Sequence, residues 1–298
     1  MSASKKGRHD PPVPAEPIGV PLVDAHTHLD AMAQRAGQPV TADHVGTAMA
    51  AAHAAGVVAV VTVGDTVAAS RWAVETARTR DDVFAAVAVH PTEVDELAGP
   101  DVEERYAELE ELARDPRCVA VGETGLDYFW DRTEPAAQQV HFRRHIELAH
   151  TLGKPLMIHD REAHDDVLRI VVETGVPAAG VVMHSFSGDV TFAQRCLDLG
   201  FVLSFSGVAT FTNASSVKEA ATSCPVTSML IETDAPFLTP HPFRGRPNAP
   251  ELLGWTARGI AAAKGVEPAV VAAGTTATSA RVFPALSGFS NLRGHVDG

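Results

Sequence analysis

Six side chains in this sequence have the types and spacing of a cation-binding site. His26 and His28 follow the short apolar run Leu22-Val23-Asp24. Two apart on an extended chain, they project to the same side and can chelate one ion. Glu123 closes the run Val119–Glu123, His159 closes Pro155–His159, His184 closes Gly180–His184, and Asp234 directly follows Met229–Thr233. Histidine and carboxylate without a thiolate is the ligand chemistry of zinc, manganese, iron, cobalt or magnesium, not of an iron–sulfur cluster or a structural zinc knuckle. His159 and His184, expected on neighbouring strands, suit a second ion; Glu123 between the pairs could bridge, and Asp234 could complete the first site. Two divalent ions about 3.5–4 Å apart form the usual clamp for hydrolysing phosphoester or amide bonds.

Taken singly, each residue has a plainer reading. A lone His-x-His is weak evidence, His159 or His184 alone reads as a satisfied core histidine, and Glu123 or Asp234 alone as a cap on the next helix. Packing does not explain four imidazoles and two carboxylates at the same point of their strands, because isolated buried charge costs several kcal/mol. Of the remaining histidines, His9, His44, His53, His141, His145 and His150 read as surface or packing residues. His164 and His241 follow strand-end loops and keep a supporting or substrate role.

The elements that must position these groups are eight short apolar runs, starting at residues 22, 57, 83, 119, 155, 180, 201 and 229. The gaps are long enough for a crossover helix and too long for a hairpin. Val102–Arg114, Ala136–Leu152 and Val190–Leu199 carry helical periodicity, closed by Asp115-Pro116, Gly153 and Gly200 respectively. Strands apolar on both faces suit a parallel sheet covered by helices. The expectation is an α/β fold, a single-domain (β/α)8 TIM barrel over residues 21–285, whose site lies at the C-terminal ends of its strands. A doubly wound open sheet is the rival. Residues 1–20 read as a disordered, Pro-rich leader and 286–298 as a flexible tail.

Composition narrows the function. The 298 residues are 45% apolar and 20% charged, with 24 Lys and Arg against 37 Asp and Glu for a net charge of −13. This argues against a broad basic surface that coats nucleic acid through counterion release. No run is long and apolar enough for a membrane span, and the leader lacks the apolar core of a secretory signal. Three scattered cysteines, Cys118, Cys196 and Cys224, suit a reducing compartment, so a cytoplasmic location is expected. No obligate protein partner is evident.

Seven ordered motifs over roughly residues 22–250 carry a family likeness: Val23-Asp24-Ala25-His26-Thr27-His28, Ala88-Val89-His90-Pro91, Gly122-Glu123-Thr124-Gly125-Leu126-Asp127, Ile158-His159-Asp160-Arg161-Glu162-Ala163, His184-Ser185-Phe186-Ser187-Gly188, Glu232-Thr233-Asp234-Ala235-Pro236 and Phe243-Arg244-Gly245-Arg246-Pro247-Asn248. In these the chain resembles the TatD-like metal-dependent deoxyribonucleases of the metallohydrolase barrels. The resemblance implies a (β/α)8 fold, two divalent metal sites and Mg2+-dependent phosphodiester cleavage, with Mn2+ or Zn2+ as substitutes. It assigns His26, His28, Glu123 and Asp234 to one ion, Glu123, His159 and His184 to the other, and His90 to the scissile phosphate. Relatives often have a second histidine where this chain has Thr92, and often Ile where it has Thr124.

The resulting expectation is an exodeoxyribonuclease acting on single-stranded DNA, nucleic-acid ends or short oligonucleotides. Glu123, Asp234 and His90 are its catalytic candidates, and His90, Arg244, Arg246 and Asn248 its substrate contacts. Bidentate arginine suits phosphate, although Arg244 and Arg246 equally suit a salt-bridged loop over the barrel. The alternative is a metal-dependent amidohydrolase or esterase, such as an aminoacyl-ester deacylase, which the same ligands would serve. Many amidohydrolase barrels place a carbamylated lysine where this chain has Glu123, which leans towards the nuclease.

Overall fold

A computed structural model of the chain describes residues 11–289. Eight parallel strands lie side by side in sequence order. They are β1 (Leu22–Thr27), β2 (Val57–Gly64), β3 (Val83–Val87), β4 (Cys118–Asp127), β5 (Leu156–Arg161), β6 (Val181–Met183), β7 (Val202–Phe205) and β8 (Met229–Ile231). The last strand returns to the first through two backbone bonds, Asp234 N–H to the His26 carbonyl at 2.9 Å and His28 N–H to the Ala235 carbonyl at 2.8 Å. The sheet is thus a nearly closed barrel, and the expected (β/α)8 architecture is the one observed.

Helices fill the connections. α1 (Leu29–Arg35) and α2 (Ala42–Ala54) follow β1, α3 (Val67–Arg78) follows β2, and α4 (Val102–Arg114) follows β3 after a 3-10 turn at Pro91–Leu97. α5 (Pro135–Leu152), α6 (His164–Thr174), α7 (Val190–Asp198) and α8 (Ser215–Ser223) follow β4 to β7, while α9 (Leu253–Lys264) and α10 (Pro268–Val282) close the chain. Local chemistry sets several starts. The hydroxyls of Thr41 and Thr66 accept from His44 N–H and Ala69 N–H, and the Asp189 carboxylate accepts from Phe192 N–H, satisfying amides that a first helical turn leaves free.

Alternation along each strand divides the apolar residues between two cores. Val60, Ala85, Val121, Ile158, Met183 and Leu203 face the helices, whereas Val61, Phe84, Ala86, Met157, Val182 and Leu230 fill the barrel interior. The interior core is completed by Phe283 and Leu286, both almost fully buried, with Phe289 packed against them. Chain past Pro284, expected to be a flexible tail from 286, therefore forms a 3-10 turn, Pro284–Phe289, lodged against the inward-facing residues. The leader also differs from expectation within the described residues. Ala15 is buried, and the Trp255 indole N–H and the Arg258 guanidinium of α9 donate to the carbonyls of Val13 and Glu16 at 2.9 and 2.7 Å. Residues 1–10 and 290–298 lie outside the described residues. Among the described residues, no helix is long and apolar enough to cross a membrane.

Candidate metal centre

The strand ends bring the six expected groups together, though not all as terminal residues. His26 lies within β1, and His159 within β5, two residues before its end. Glu123 lies in the middle of the ten-residue β4, because pairing between β4 and β5 shifts register between Val121 and Thr124. Glycine permits this. A Cβ at Gly125, where φ is +146°, would stand 2.1 Å from the His159 carbonyl oxygen, and one at Gly122, φ +157°, would meet Met157. His184 directly follows β6, and Asp234 sits three residues past β8 in a left-handed turn with φ +53°. Asp tolerates that region better than most residues, and the turn aims its carboxylate at His28.

Glu123 stands between two groups of imidazoles. Its Oε2 is 3.3 Å from His26 Nε2 and 3.9 Å from His28 Nε2. Its Oε1 is 2.6 Å from His159 Nδ1, 3.3 Å from His184 Nε2 and 3.6 Å from His90 Nε2. Asp234 Oδ1 lies 3.5 Å from His28 Nε2 and 3.8 Å from His26 Nε2. His26 and His184 stack at 3.5 Å between centroids.

The outer nitrogen of each ring explains which nitrogen faces inwards. His28 Nδ1 donates to the Val63 carbonyl at 3.1 Å, and His26 Nδ1 lies 3.1 Å from the Met157 sulfur. His159 Nε2 bonds to Asp127 Oδ2 at 2.9 Å, while His184 Nδ1 lies 2.8 Å from Glu232 Oε1 in an ion pair rather than a well-aligned hydrogen bond. A partner on the outer nitrogen fixes the tautomer and leaves the inner lone pair free for a cation. Asp127 and Glu232 were not among the residues expected from the sequence. Their signal is a carboxylate at the apolar strand ends, Gly125-Leu126-Asp127 and Leu230-Ile231-Glu232, both buried.

The electrostatics fit a cation at the centre. Burial alone would raise the Glu123 carboxyl, but His184, His90, His26 and the bond from His159 hold it well below the usual carboxylate range. Asp234 is held down similarly, burial being outweighed by His28, His184 and His26. Burial disfavours charge on His28, His159 and His184, yet the carboxylates win. Asp234 and Glu123 carry His28 up to about 9, Asp127 and Glu123 carry His159 to about 9, and Glu232 and Glu123 carry His184 to about 10. Buried carboxylates that demand this much positive charge suit a hard or borderline divalent ion. His26, His28 and Glu123 offer atoms all within 4.8 Å of one another, as do His90, Glu123 and His159, and His26, His184 and Glu232.

His90, three residues past β3, reaches the same centre. Its Nδ1 accepts from Thr92 N–H at 3.1 Å and lies 2.8 Å from the Thr92 hydroxyl, so its Nε2 carries the proton and points inwards. Thr92 therefore orients this ring. The loop after β8 holds the other expected contacts, in a different setting. Arg244 donates to Asn213 Oδ1 at 2.6 Å and covers the Phe211 ring at 4.3 Å. Arg246 lies 5.8 Å from the Phe243 ring. Asn248 is buried, and its amide donates to the carbonyls of Thr233 and Phe237 at 2.7 and 2.6 Å, tying the Asp234 turn to the loop that follows. His164 pairs with Asp160 at 2.7 Å.

Comparison with known proteins identifies the family. The family described as TatD-related DNase matches residues 23–284. A metal-dependent hydrolase of Mycobacterium tuberculosis named TatD is 45% identical over 267 residues, 88% of this chain and 97% of that protein. The metal-dependent hydrolase YcfH of Escherichia coli is 37% identical over 262 residues, 88% of this chain and 95% of that one. Among solved structures, the Escherichia coli TatD homologue YjjV matches with a TM-score of 0.79 at 26% identity, covering 88% of this chain and 98% of that one. On the match across nearly the whole barrel, this chain belongs to the TatD family of metal-dependent hydrolases.

Proposed function

We propose that this hydrolase cleaves phosphodiester bonds, removing nucleotides from the ends of single-stranded DNA or short oligonucleotides, and holds two divalent ions, with Mg2+ as the working metal. The observation that carries the reading is Glu123, which turns one carboxylate oxygen to His26 and His28 and the other to His159 and His184. On this reading His26, His28, Glu123 and Asp234 hold one ion, and Glu123, His159 and His184 hold the other. Bound there, divalent ions supply Lewis-acid polarisation of the phosphoryl group and acidify water.

The chain's own groups divide the remaining work. Asp234, kept ionised by its neighbours, accepts the proton of the attacking water on its carboxylate. His90 donates a hydrogen bond from its Nε2–H to a phosphoryl oxygen and so stabilises the negative charge that develops there as the bond breaks. Arg244 and Arg246, on the loop after β8, contact a neighbouring phosphate. Asn248 serves substrate indirectly, by holding the turn that carries Asp234.

The test is a product ladder. Protein restored with Mg2+ or Mn2+ is given end-labelled single-stranded DNA and RNA, with Glu123→Gln run beside it. Stepwise, metal-dependent shortening that disappears in the variant supports the reading, and the label reports polarity. Protein with two ions per chain and no shortening would return the site to amide or carboxylic ester hydrolysis.

A further inference from the structure

Three aromatic side chains are exposed among the described residues. Phe129 and Trp130 are each 47% exposed and Phe237 is 46% exposed. All three lie on segments that follow strands β4 and β8, at the end of the barrel that carries the metal centre, although the chain has twelve Phe, three Trp and two Tyr to distribute. Phe129 and Trp130 directly follow β4. Their backbone N–H groups both donate to Asp127 Oδ1 at 3.0 Å, while Asp127 Oδ2 meets His159. One carboxylate thus fixes both the pair of rings and a proposed ligand. Phe237 follows β8, edge-on to the His28 ring with 6.2 Å between centroids. The rings therefore flank Glu123, two on the His159 side and one on the His28 side.

Each ring also carries a guanidinium. Arg161 lies 3.8 Å from the Phe129 centroid and 5.5 Å from that of Trp130, and Arg35 lies 5.5 Å from that of Phe237. Most other mouth-side and helix arginines pair with carboxylates, Arg132 with Glu93 and Arg169 with Asp166 among them. Arg161 and Arg35 show no ion pair among the described residues. Uncompensated cations on open rings, in a chain of net charge −13, fit an anion that also presents flat aromatic groups.

We propose that Phe129 with Trp130, and Phe237, are two nucleobase-stacking subsites, taking the bases on either side of the scissile phosphate. Arg161 and Arg35 face the adjoining phosphates. The proposal rests on the phosphodiesterase reading and makes it more specific. Both neighbouring bases must be unstacked from their own strand, so the substrate is single-stranded and its minimum is a dinucleotide. Stacking accepts every base, since each has a π-face, and supplies affinity that an acidic surface cannot draw from phosphate charge.

The experiment compares metal-loaded protein on two single-stranded oligonucleotides, one intact and one abasic on both sides of a defined linkage. Wild-type kcat/KM should favour the intact strand by about 10-fold or more. Trp130→Ala and Phe237→Ala should each raise KM for the intact strand about 5- to 100-fold, with kcat held, and shrink that preference. Separately, a hydrolysis-resistant phosphorothioate oligothymidylate should quench the tryptophan fluorescence of the loaded wild type. Trp130→Phe should remove most of the quench and keep affinity within about 3-fold, because a ring remains. Cleavage with equal preference for intact and abasic strands overturns the subsites and leaves the phosphodiesterase standing. Loaded protein that cleaves no phosphodiester overturns the underlying reading, and the quench then decides the rings alone. Absence of a quench, or a quench that survives Trp130→Phe, overturns the stacking role, and protection of the rings by a second copy or another protein would take its place.

Discussion

At the scale of single residues the site depends on the division of labour within Glu123. Replacing its carboxylate by an amide keeps the shape and removes the charge that His26, His159 and His184 face. Glu123→Gln should reduce metal-dependent hydrolysis at least 1,000-fold, on the order of the ~4 kcal/mol that a central electrostatic group contributes. Circular dichroism should stay native, and bound metal should fall below two ions per chain. The outer carboxylates act through the rings they orient. Glu232→Gln, which weakens the hold on His184 Nδ1, should cost about 10- to 100-fold in metal affinity, measured by competition with a chelating dye. Unchanged affinity would mean that β6 alone sets that ring. Arg244→Ala should raise KM for oligonucleotides several-fold and leave metal affinity alone; equal KM would assign Arg244 to its contacts with Asn213 and Phe211. The six inner groups were legible because histidine and carboxylate at successive strand ends have no bland joint explanation. Asp127 and Glu232 were not, because their partners lie on other strands and no spacing links Asp127 to His159 across 32 residues.

Elements were legible to within a few residues wherever an apolar run stands alone, as at β2, β3 and β8. β4 was not. A strand expected to stop at Glu123 runs on to Asp127, and the shift of register that turns Glu123 inwards leaves only two glycines as its trace. How α5 meets β3 was equally hidden. His145 of α5, read as a packing residue, is fully buried; its Nδ1 donates to the His141 carbonyl at 2.8 Å and its Nε2 accepts from Val89 N–H at 3.3 Å. Burial pulls its pKa down to about 4 from an ordinary value of 6.5, with the His141 bond opposing. Between those values the unfolded chain binds the proton and the folded chain does not, so this residue's share of stability is lost as pH falls through that window. Its contribution should drop by about 2 kcal/mol between pH 7 and pH 5. Urea unfolding of wild type and His145→Gln at both pH values should show the variant losing correspondingly less. Parallel losses would place the pH dependence elsewhere.

For the whole molecule, charge and closure set the terms on which a polymer can be used. With a net charge of −13, few phosphates can be gripped. With Arg161, Arg35 and the Arg244–Arg246 loop each neutralising one phosphate, log kcat/KM for single strands should fall with log salt at a slope of about −2.1, from roughly 0.7 per neutralised phosphate. A slope steeper than about −4 would reveal a basic tract that these arginines do not provide. The acidic balance was plain from composition, whereas the settings of both chain ends were not. Ala15 and its neighbours are held by Trp255 and Arg258 from the far end of the sequence, a pairing that no local pattern announces. Phe283, Leu286 and Phe289 reach the interior core only because α10 delivers them there. With the inward-facing Val61, Phe84 and Met157 they fill the barrel, which is a blind well. A strand can dip its end into the mouth but cannot be threaded through, and what enters must withdraw by the same opening. Each scission should therefore be followed by release, and substrate lengths should shrink together across the population. An excess of unlabelled trap strand added mid-reaction should halt further shortening of the labelled one, and continued stepping on the original strand would show a grip that survives each cut.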